Sequence, residues 1–263
     1  MNIIVCIKQV PDTNEVKIDP DKGTLIREGV PSIINPDDKN ALEEALRIKD
    51  EYEDVRVIAL SMGPAQAELA LIEAVAMGAD EGILLNDKAF AGSDTWATST
   101  ALAEAIKNIG EFDIIFCGQQ AIDGDTGQVG PQIAEHLNIP QITYVEGLKL
   151  EASKVRAKRR LEDGYFIIEA ELPLLITATK ALNQPRYPSI RGIYEAFKGD
   201  RIKVLTAKDL GIEEYKVGLK GSPTRVSRSF TPELKAGDLV MIEGSPKEQA
   251  EGLIVKLREA RII

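Results

Sequence analysis

The sequence predicts an α/β fold: a parallel-sheet nucleotide-binding domain of the Rossmann-like, adenine nucleotide α-hydrolase-like kind, with an antiparallel hairpin and a C-terminal arm. Two observations lead to this prediction. Continuous apolar runs, which are typical of strands buried on both faces, alternate with helical patterns over residues 1–140. The alternation repeats about every 30 residues, the size of one strand–helix–strand unit. Such units give parallel strands with helices on both faces of the sheet.

The first two strands are predicted at residues 2–8 and 55–63. A helical pattern begins at Asp38, for which Asp37 or Asp38 is the expected N-cap. The second strand ends at Gly63-Pro64, a dipeptide that suits the entry to a helix over 65–79.

The third strand is predicted at residues 81–86 and the fourth at residues 112–118. Ser93 or Asp94 can cap the helix between them, which a glycine ends at residue 110. A fourth helix follows the glycine-rich stretch that begins at residue 118, and Thr126 is a candidate cap for it.

The pattern changes after residue 140. Residues 141–180 predict antiparallel ribbon strands, on which Arg156, Lys158 and Arg160 share one face. That face is either solvated or binds an acidic partner surface. We assign residues 1–188 to the nucleotide-binding domain and 189–263 to an extended arm. Glycine and proline interrupt the arm, which has too few apolar residues for its own core, so it lies either on its own domain or on another subunit.

The composition narrows the function. The net charge of -10 argues against nucleic acid or an anionic membrane as the main partner. No apolar run approaches the roughly 20 residues that a membrane span needs, and the N-terminus reads as a strand rather than a signal peptide. We therefore expect a cytoplasmic protein without membrane insertion. Cys6 and Cys117 lie in apolar runs and are expected to be buried, reduced thiols.

The ligand site is expected beyond the carboxyl ends of the parallel strands. The loop GQQAIDGDTGQVG carries Gly124, Gly127 and Gly130, which would let the backbone approach a phosphate closely. Its helix N-terminus would favour an anion. The alternative is that DGDTG is only a tight loop before a capped helix.

Several enzyme motifs are absent from the sequence, including the P-loop, the GxGxxG fingerprint and the G-x-S-x-G elbow. The single histidine, His136, falls on an apolar helical stripe and is predicted to be a half-buried packing residue. The chain is therefore expected to hold a nucleotide-like ligand and to lack an acid, base or nucleophile of its own.

The motifs VCIKQVPD, NPDD, SMGPAQ, AMGADEG, GQQAIDGDTGQVGP and ELPLLITATKALNQPRYPSIRG, in this order, resemble the β subunit of electron transfer flavoprotein over essentially the whole chain. The resemblance implies a heterodimer with an α subunit that carries FAD, and the arm of residues 189–263 is expected to pack on this α subunit. It assigns nucleotide contacts to Cys6, Asn35, Pro36, Asp37, Asp38, Met62, Gln120, Ala121, Ile122, Asp123, Gly124, Asp125, Thr126, Gly127, Gln128, Val129 and Gly130.

The nucleotide of the β subunit is FAD in the electron-bifurcating type of this family and AMP in the ordinary respiratory type. The loops DGDTGQVGP and GSDTWATS resemble the bifurcating type, which implies that Asp94, Thr95, Thr98, Thr126 and Gln128 flank the diphosphate or the ribityl chain of FAD. The implied reaction takes electrons from NADH and divides them between an acyl-CoA dehydrogenase and ferredoxin or flavodoxin. An AMP-holding carrier subunit, a stand-alone nucleotide-sensing domain and, least favoured, an adenylating or pyrophosphatase enzyme are the alternatives.

The segment LNQPRY resembles the dehydrogenase-recognition loop of the family. This implies partner contacts by Leu182, Asn183, Pro185, Arg186 and Tyr187. The alternative is a turn packed on its own domain.

Overall fold

The structure, a computed structural model, describes residues 1–12, 31–151, 153–227 and 240–263. The chain forms two compact units, Met1–Ser227 and Arg228–Ile263. The strands are β1 (Asn2–Cys6), β2 (Gln9–Pro11), β3 (Ser32–Ile34), β4 (Arg56–Met62), β5 (Glu81–Leu85), β6 (Ile114–Gly118), β7 (Gln141–Glu151), β8 (Lys154–Arg160), β9 (Tyr165–Glu171), β10 (Leu174–Ala178) and β11 (Ile202–Leu205). The helices are α1 (Pro36–Glu51), α2 (Glu68–Met77), α3 (Thr95–Ile109), α4 (Val129–Leu137), α5 (Ile190–Lys198), α6 (Gly218–Gly221) and α7 (Pro246–Glu259).

The first unit is built on a nine-stranded sheet with the order β11-β5-β4-β1-β6-β10-β7-β8-β9. The strands from β11 to β7 pair in parallel, whereas β7, β8 and β9 pair antiparallel. The predicted α/β fold with a parallel sheet and an antiparallel hairpin is therefore confirmed. β2 and β3 form a separate antiparallel pair that flanks residues 13–30, so most of the loop expected before α1 lies outside the described residues.

Alternation along the strands divides the core into two layers. In β1, Ile3 and Val5 belong to the layer beneath α1 and α2, whereas Ile4 and Cys6 face the layer beneath α3 and α4. A strand with two buried faces needs apolar residues at every position, which explains the uninterrupted runs in the sequence. Each fully buried Ile or Leu side chain in these layers contributes about 1.5–3 kcal/mol relative to an exposed one.

The prediction that the ribbon continues through residue 178 is wrong for its last strand. β10 lies between β6 and β7 and pairs in parallel with both. All five residues of β10 are buried, and a run buried on both faces is typical of a central parallel strand rather than of a half-exposed ribbon. The antiparallel ribbon is therefore limited to β7, β8 and β9.

The first compact unit extends beyond the predicted boundary at residue 188. α5 packs against α2, and β11 pairs with β5 at one edge of the sheet. Residues 189–227 thus lie on their own domain, which is one of the two alternatives that the sequence left open. The second unit contains α7, which Ser245 and Glu248 cap with a capping box.

Candidate functional site

The carboxyl ends of β1, β4 and β6 meet at one edge of the sheet. Cys6 ends β1, Met62 ends β4, and the loop of residues 119–128 follows β6. Cys6 and Cys117 are both buried free thiols on neighbouring strands, and the hydrogen bond that the Cys117 thiol makes to Cys6, together with burial, raises the pKa of Cys117 well above its ordinary value. The edge thus gathers the loops that follow β1, β4 and β6, where the sequence analysis expected the ligand site.

Asp38 joins two of these loops. Its carboxylate oxygens accept hydrogen bonds from the N–H of Lys8 at 2.8 Å and from the N–H of Gly118 at 3.0 Å. Asp38 is buried, and this burial raises its pKa to about 7 although the hydrogen bonds favour the charged form. The side chain therefore fixes the loop after β1 to the end of β6.

Asn35 fixes the glycine-rich loop, residues 118–130, to the start of α1. Its side-chain amide donates to the carbonyl of Gln120 at 2.8 Å, and its side-chain oxygen accepts from the N–H of Ile122 at 3.1 Å. Asn35 is the N-cap residue of α1 but makes no capping bond with its side chain. The expectation that Asp37 or Asp38 caps α1 is wrong, because Pro36 already begins the helix and both aspartates lie in its first turn.

The acidic residues of the glycine-rich loop have partners of their own. The Nζ atom of Lys8 lies 2.6 Å from an oxygen of Asp123, and the side-chain amide of Gln120 donates to Asp125 at 2.9 Å. Asp125 is thus held within its own loop, whereas Asp123 is held to the segment that follows β1. The residues around Thr126 are thereby left without a competing hydrogen bond from these carboxylates.

The N–H groups of residues 126–130 donate to no backbone carbonyl of the described chain. Gly127 has φ +62°, and Asp125 has φ +49°. The first turn of α4 follows directly, with Gln128 as its N-cap and without a side-chain cap. The expectation that Thr126 caps this helix is therefore wrong: Thr126 is exposed and precedes the cap position. Free amides at a helix N-terminus are an arrangement that binds anions.

The loop before α3 approaches the same region. The hydroxyl of Thr95 donates to the side-chain oxygen of Gln128 at 3.0 Å, which joins the N-termini of α3 and α4. Asp94 caps α3 through the N–H of Ala97, as the sequence predicted, and Thr98 lies half-buried one turn further on. The other oxygen of Asp94 accepts from the N–H and the hydroxyl of Thr224. Burial opposes ionisation of Asp94, but these hydrogen bonds lower its pKa.

A family profile and full-length relatives match the chain. The profile described as "Electron transfer flavoprotein domain" covers residues 22–210. "Electron transfer flavoprotein subunit beta" of Thermoanaerobacterium thermosaccharolyticum is 58% identical over 264 residues, with 100% of each chain covered. The chain belongs to the electron transfer flavoprotein β-subunit family.

Two further relatives of this family cover 100% of each chain. "Electron transfer flavoprotein subunit beta" of Clostridium acetobutylicum is 56% identical, and "Caffeyl-CoA reductase-Etf complex subunit CarD" of Acetobacterium woodii is 53% identical. The resemblance stated from the motifs is thus confirmed. Within the described residues of this electron transfer flavoprotein chain, none of the helices combines the length and apolar character that a bilayer crossing requires.

The segment LNQPRY lies against α1. Leu182 is buried, Asn183 exchanges hydrogen bonds with Asn40, and Arg186 binds Glu43 and Asp50 at 2.8 and 2.7 Å. The hydrogen bonds that the Arg186 side chain donates to Glu43 raise the pKa of Arg186 above its ordinary value. Pro185 is half-buried. Of the five residues assigned to partner contact, Tyr187 is the one that projects, with 92% of its surface exposed.

His136 packs in the way that the sequence predicted. It is half-buried, and its ring lies 4.6 Å from the ring of Trp96 between centroids. Burial lowers its pKa, and the charge of Lys107 lowers it further. His136 therefore serves the contact between α3 and α4.

The sequence analysis missed the basic and aromatic residues that the antiparallel ribbon brings to the site. Arg160 donates to the side-chain oxygen of Gln119 at 3.0 Å, and the charges of Lys180 and Arg160 act on Asp37. Tyr144 lies beside Gly127. The run KVRAKRR was visible in the sequence, but nothing in it indicated which loop the ribbon would reach.

Proposed function

We propose that this chain is the β subunit of an electron transfer flavoprotein that binds FAD at the edge of its sheet. Together with an α subunit, it would take electrons from NADH and divide them between an acyl-CoA dehydrogenase and ferredoxin or flavodoxin. The observation that carries the proposal is the run of N–H groups at residues 126–130, which have no backbone partner in the described chain and open directly onto α4. Membership of the electron transfer flavoprotein family supports a flavin as the ligand.

The arrangement of two helix N-termini favours a dinucleotide over a mononucleotide. The hydrogen bond between Thr95 and Gln128 holds the starts of α3 and α4 side by side. A pyrophosphate carries two negatively charged groups: the uncapped N-terminus of α4 would favour one of them by about 0.3–1 kcal/mol, and the hydroxyl of Thr95 at the start of α3, whose N-terminus Asp94 caps, would donate to the other. AMP would need one of these positions only.

The chain's own contribution would be binding and orientation. FAD, when bound, supplies acceptance of a hydride and release of single electrons. Asn35 and Asp38 hold the loops in register, and Gly130 lets α4 approach the sheet closely. A Cβ atom at Gly130 would lie 3.0 Å from Thr177 and 3.4 Å from Cys117. These contacts predict that the loop is held rigid before the ligand arrives.

Partner binding would use the surface that follows LNQPRY. Tyr187 and Ile190 expose 92% and 89% of their surfaces, whereas Arg186 is fixed to α1. Exposed apolar anchors beside polar neighbours are typical of protein interfaces. The relative from Acetobacterium woodii is named as a subunit of a reductase complex, which supports an acyl-CoA-processing enzyme as the partner of this surface.

The cofactor content of the purified complex tests the proposal. The chain is co-expressed with its α subunit, the nucleotides are released by denaturation, and flavin and AMP are quantified by chromatography. We expect two FAD per heterodimer. One FAD and one AMP would instead identify a non-bifurcating carrier, and a chain that stays monomeric beside the α subunit would indicate a stand-alone nucleotide sensor.

A glycine pair tests whether the loop is the binding site. Gly127 and Gly211 have nearly equal φ angles, +62° and +65°, so alanine at either position costs about 1–2 kcal/mol of backbone strain. We expect Gly127→Ala and Gly211→Ala to lose similar stability in urea unfolding. Gly127→Ala alone should lose FAD, because Gly211 follows β11, on the far side of β5, β4 and β1 from β6. Equal FAD retention by the two variants would exclude the loop as the site.

A further inference from the structure

Tyr144 has an unusual backbone conformation. Its φ of +58° lies in the left-handed region, in which a residue with a bulky side chain is uncommon. The N–H of Tyr144 donates to the hydroxyl of Thr177 at 2.9 Å, and the pairing of β7 with β10 shifts register at this point. A register shift of this kind redirects a side chain, and strained residues cluster at binding sites.

The side chain of Tyr144 is directed at the glycine-rich loop. Its hydroxyl oxygen lies 3.9 Å from the position that a Cβ atom on Gly127 would occupy. The ring remains partly exposed. The phenol therefore stands next to the free amides of residues 126–130, on the side of the ribbon.

Arg159 supports Tyr144 from β8. Its guanidinium carbon lies 5.9 Å from the centre of the Tyr144 ring, and Val145 is its partner in the strand register. The Nε atom of Arg159 is buried and has no hydrogen-bond partner among the described residues. A buried donor without a partner is costly to the folded protein, so a ligand that accepts its hydrogen bond would relieve that cost.

The negative charge of the aspartates near the loop would repel a phosphate group unless a positively charged residue lies close to it. Asp123 and Asp125 lie in the loop and Asp37 and Asp38 lie at its base, while Lys8 is already paired with Asp123 at 2.6 Å and the charges of Lys180 and Arg160 act on Asp37. A phosphate group placed on the amides of residues 126–130 would face this acidic surrounding. The guanidinium of Arg159, beside the Tyr144 ring, is a further positive charge that is not paired with any of these carboxylates in the described chain.

We propose that Tyr144 and Arg159 form a wall of the nucleotide site and bind a phosphate group of the nucleotide. The hydroxyl of Tyr144 and the Nε–H of Arg159 each donate a hydrogen bond to a phosphate oxygen. This inference rests on the proposed function, since it takes the loop of residues 119–130 as the phosphate site. It adds two recognition residues from the ribbon and makes the phosphate, rather than the nucleoside, the group that they select.

The test compares AMP with adenosine on the heterodimer freed of its nucleotides, with dissociation constants measured by calorimetry. Adenosine lacks the phosphate, so it reports any loss that is merely structural. We expect Tyr144→Phe to weaken AMP binding about fivefold and Arg159→Gln at least about tenfold, the ordinary effects of losing a neutral and a charged hydrogen bond. Adenosine binding should change less than twofold. The matched controls Tyr165→Phe and Arg156→Gln, on the same ribbon, should leave both constants unchanged, and thermal unfolding checks that each variant is folded.

The outcomes separate this inference from the proposed function. If the unaltered heterodimer binds AMP no better than adenosine, or if Gly127→Ala leaves AMP binding intact, the loop site itself is wrong and the inference fails with it. A different outcome would overturn this inference alone. In that case Gly127→Ala weakens AMP binding, but Tyr144→Phe and Arg159→Gln leave the ratio of the AMP and adenosine dissociation constants unchanged. Equal losses for AMP and adenosine would assign the two residues a structural role and would also overturn it.

Discussion

Asp38 shows how a single residue can organise the edge of a sheet without occupying the position that its sequence context suggests. An aspartate near the start of a helix is usually read as an N-cap. Here Pro36 begins the helix earlier, so the carboxylate of Asp38 reaches the N–H groups of Lys8 and Gly118 instead. Because Asp38 is buried, this arrangement makes the stability of the site depend on pH.

The pH dependence predicted for Asp38 has a definite sign. Its pKa is about 7 in the folded chain and has an ordinary value of 3.8. Between about pH 4 and pH 7 the folded state therefore binds more protons than the unfolded state, and the contribution of Asp38 to stability falls as the pH rises. Asp38→Asn cannot ionise, so we expect it to gain stability relative to the unaltered chain over this interval.

Urea unfolding of both chains at intervals from pH 4 to pH 8 measures this difference. Asp37 and Glu44, whose pKa values burial also raises, remain in both chains and should largely cancel in the comparison. Asp209→Asn, an exposed substitution at a carboxylate whose pKa the Thr206 side chain lowers, serves as the control of opposite sign. The prediction would be contradicted if the free energies of unfolding of Asp38→Asn and of the unaltered chain changed with pH in parallel.

Among the elements, the contact between α2 and α5 depends on one glycine. A Cβ atom at Gly192 would lie 2.2 Å from the backbone carbonyl oxygen of Ala76, and no side-chain rotation could relieve that clash. Helix propensity alone favours alanine over glycine by about 1 kcal/mol. Packing therefore predicts that Gly192→Ala destabilises the chain, whereas helix propensity predicts that it stabilises the chain.

We expect Gly192→Ala to destabilise the chain by about 1–3 kcal/mol, the usual cost of overpacking. It should also weaken binding of the proposed acyl-CoA-processing partner, because Tyr187 lies shortly before α5 and Ile190 is the first residue of this helix. Arg191→Ala, the neighbouring exposed position, should stay within about 0.5 kcal/mol. Urea unfolding and a partner-binding assay report the two effects, and a more stable Gly192→Ala would show that α5 is free to shift.

The elements that the sequence predicted well are those with local signals. Buried runs gave β1, β4, β5 and β6 to within two residues at each end, and Gly78 and Gly110 marked the ends of α2 and α3. The run LLITA was assigned to the ribbon because it followed the ribbon in the chain. Its place in the centre of the sheet depends on pairing with β6 and β7, which no local pattern encodes.

At the scale of the whole molecule, the site is assembled from distant parts of the chain. The loop after β6 was predictable, since parallel sheets bind ligands beyond the carboxyl ends of their strands. Tyr144 and Arg159 were not, because Tyr144 approaches Gly127 at a register shift in β7 and Arg159 reaches Tyr144 through the pairing of β7 with β8. Such shifts arise from the balance of many tertiary contacts rather than from any residue near the loop.

The division of the chain into two units leads to a prediction about assembly. The buried core clusters of the first unit contain no residue beyond Val217. In the second unit α7 exposes about half the surface of each of Leu253, Ile254 and Val255. A helix that leaves adjacent apolar residues exposed is suited to bury them against a partner chain.

We therefore expect a chain ending at Ser227 to fold and to lose its α subunit. Its free energy of unfolding should stay close to that of the full chain, because the described residues of the second unit contribute no side chain to either core cluster. Co-purification with a tagged α subunit should fall sharply, since each of the three lost apolar side chains contributes up to about 1.5–3 kcal/mol when it is buried. Leu253→Glu in the full chain is the matched test, because it places a charge in that contact without shortening the chain. If the shortened chain unfolds, residues 228–263 support their own domain; if it retains the α subunit at full occupancy, the α-subunit contact lies elsewhere on the first unit.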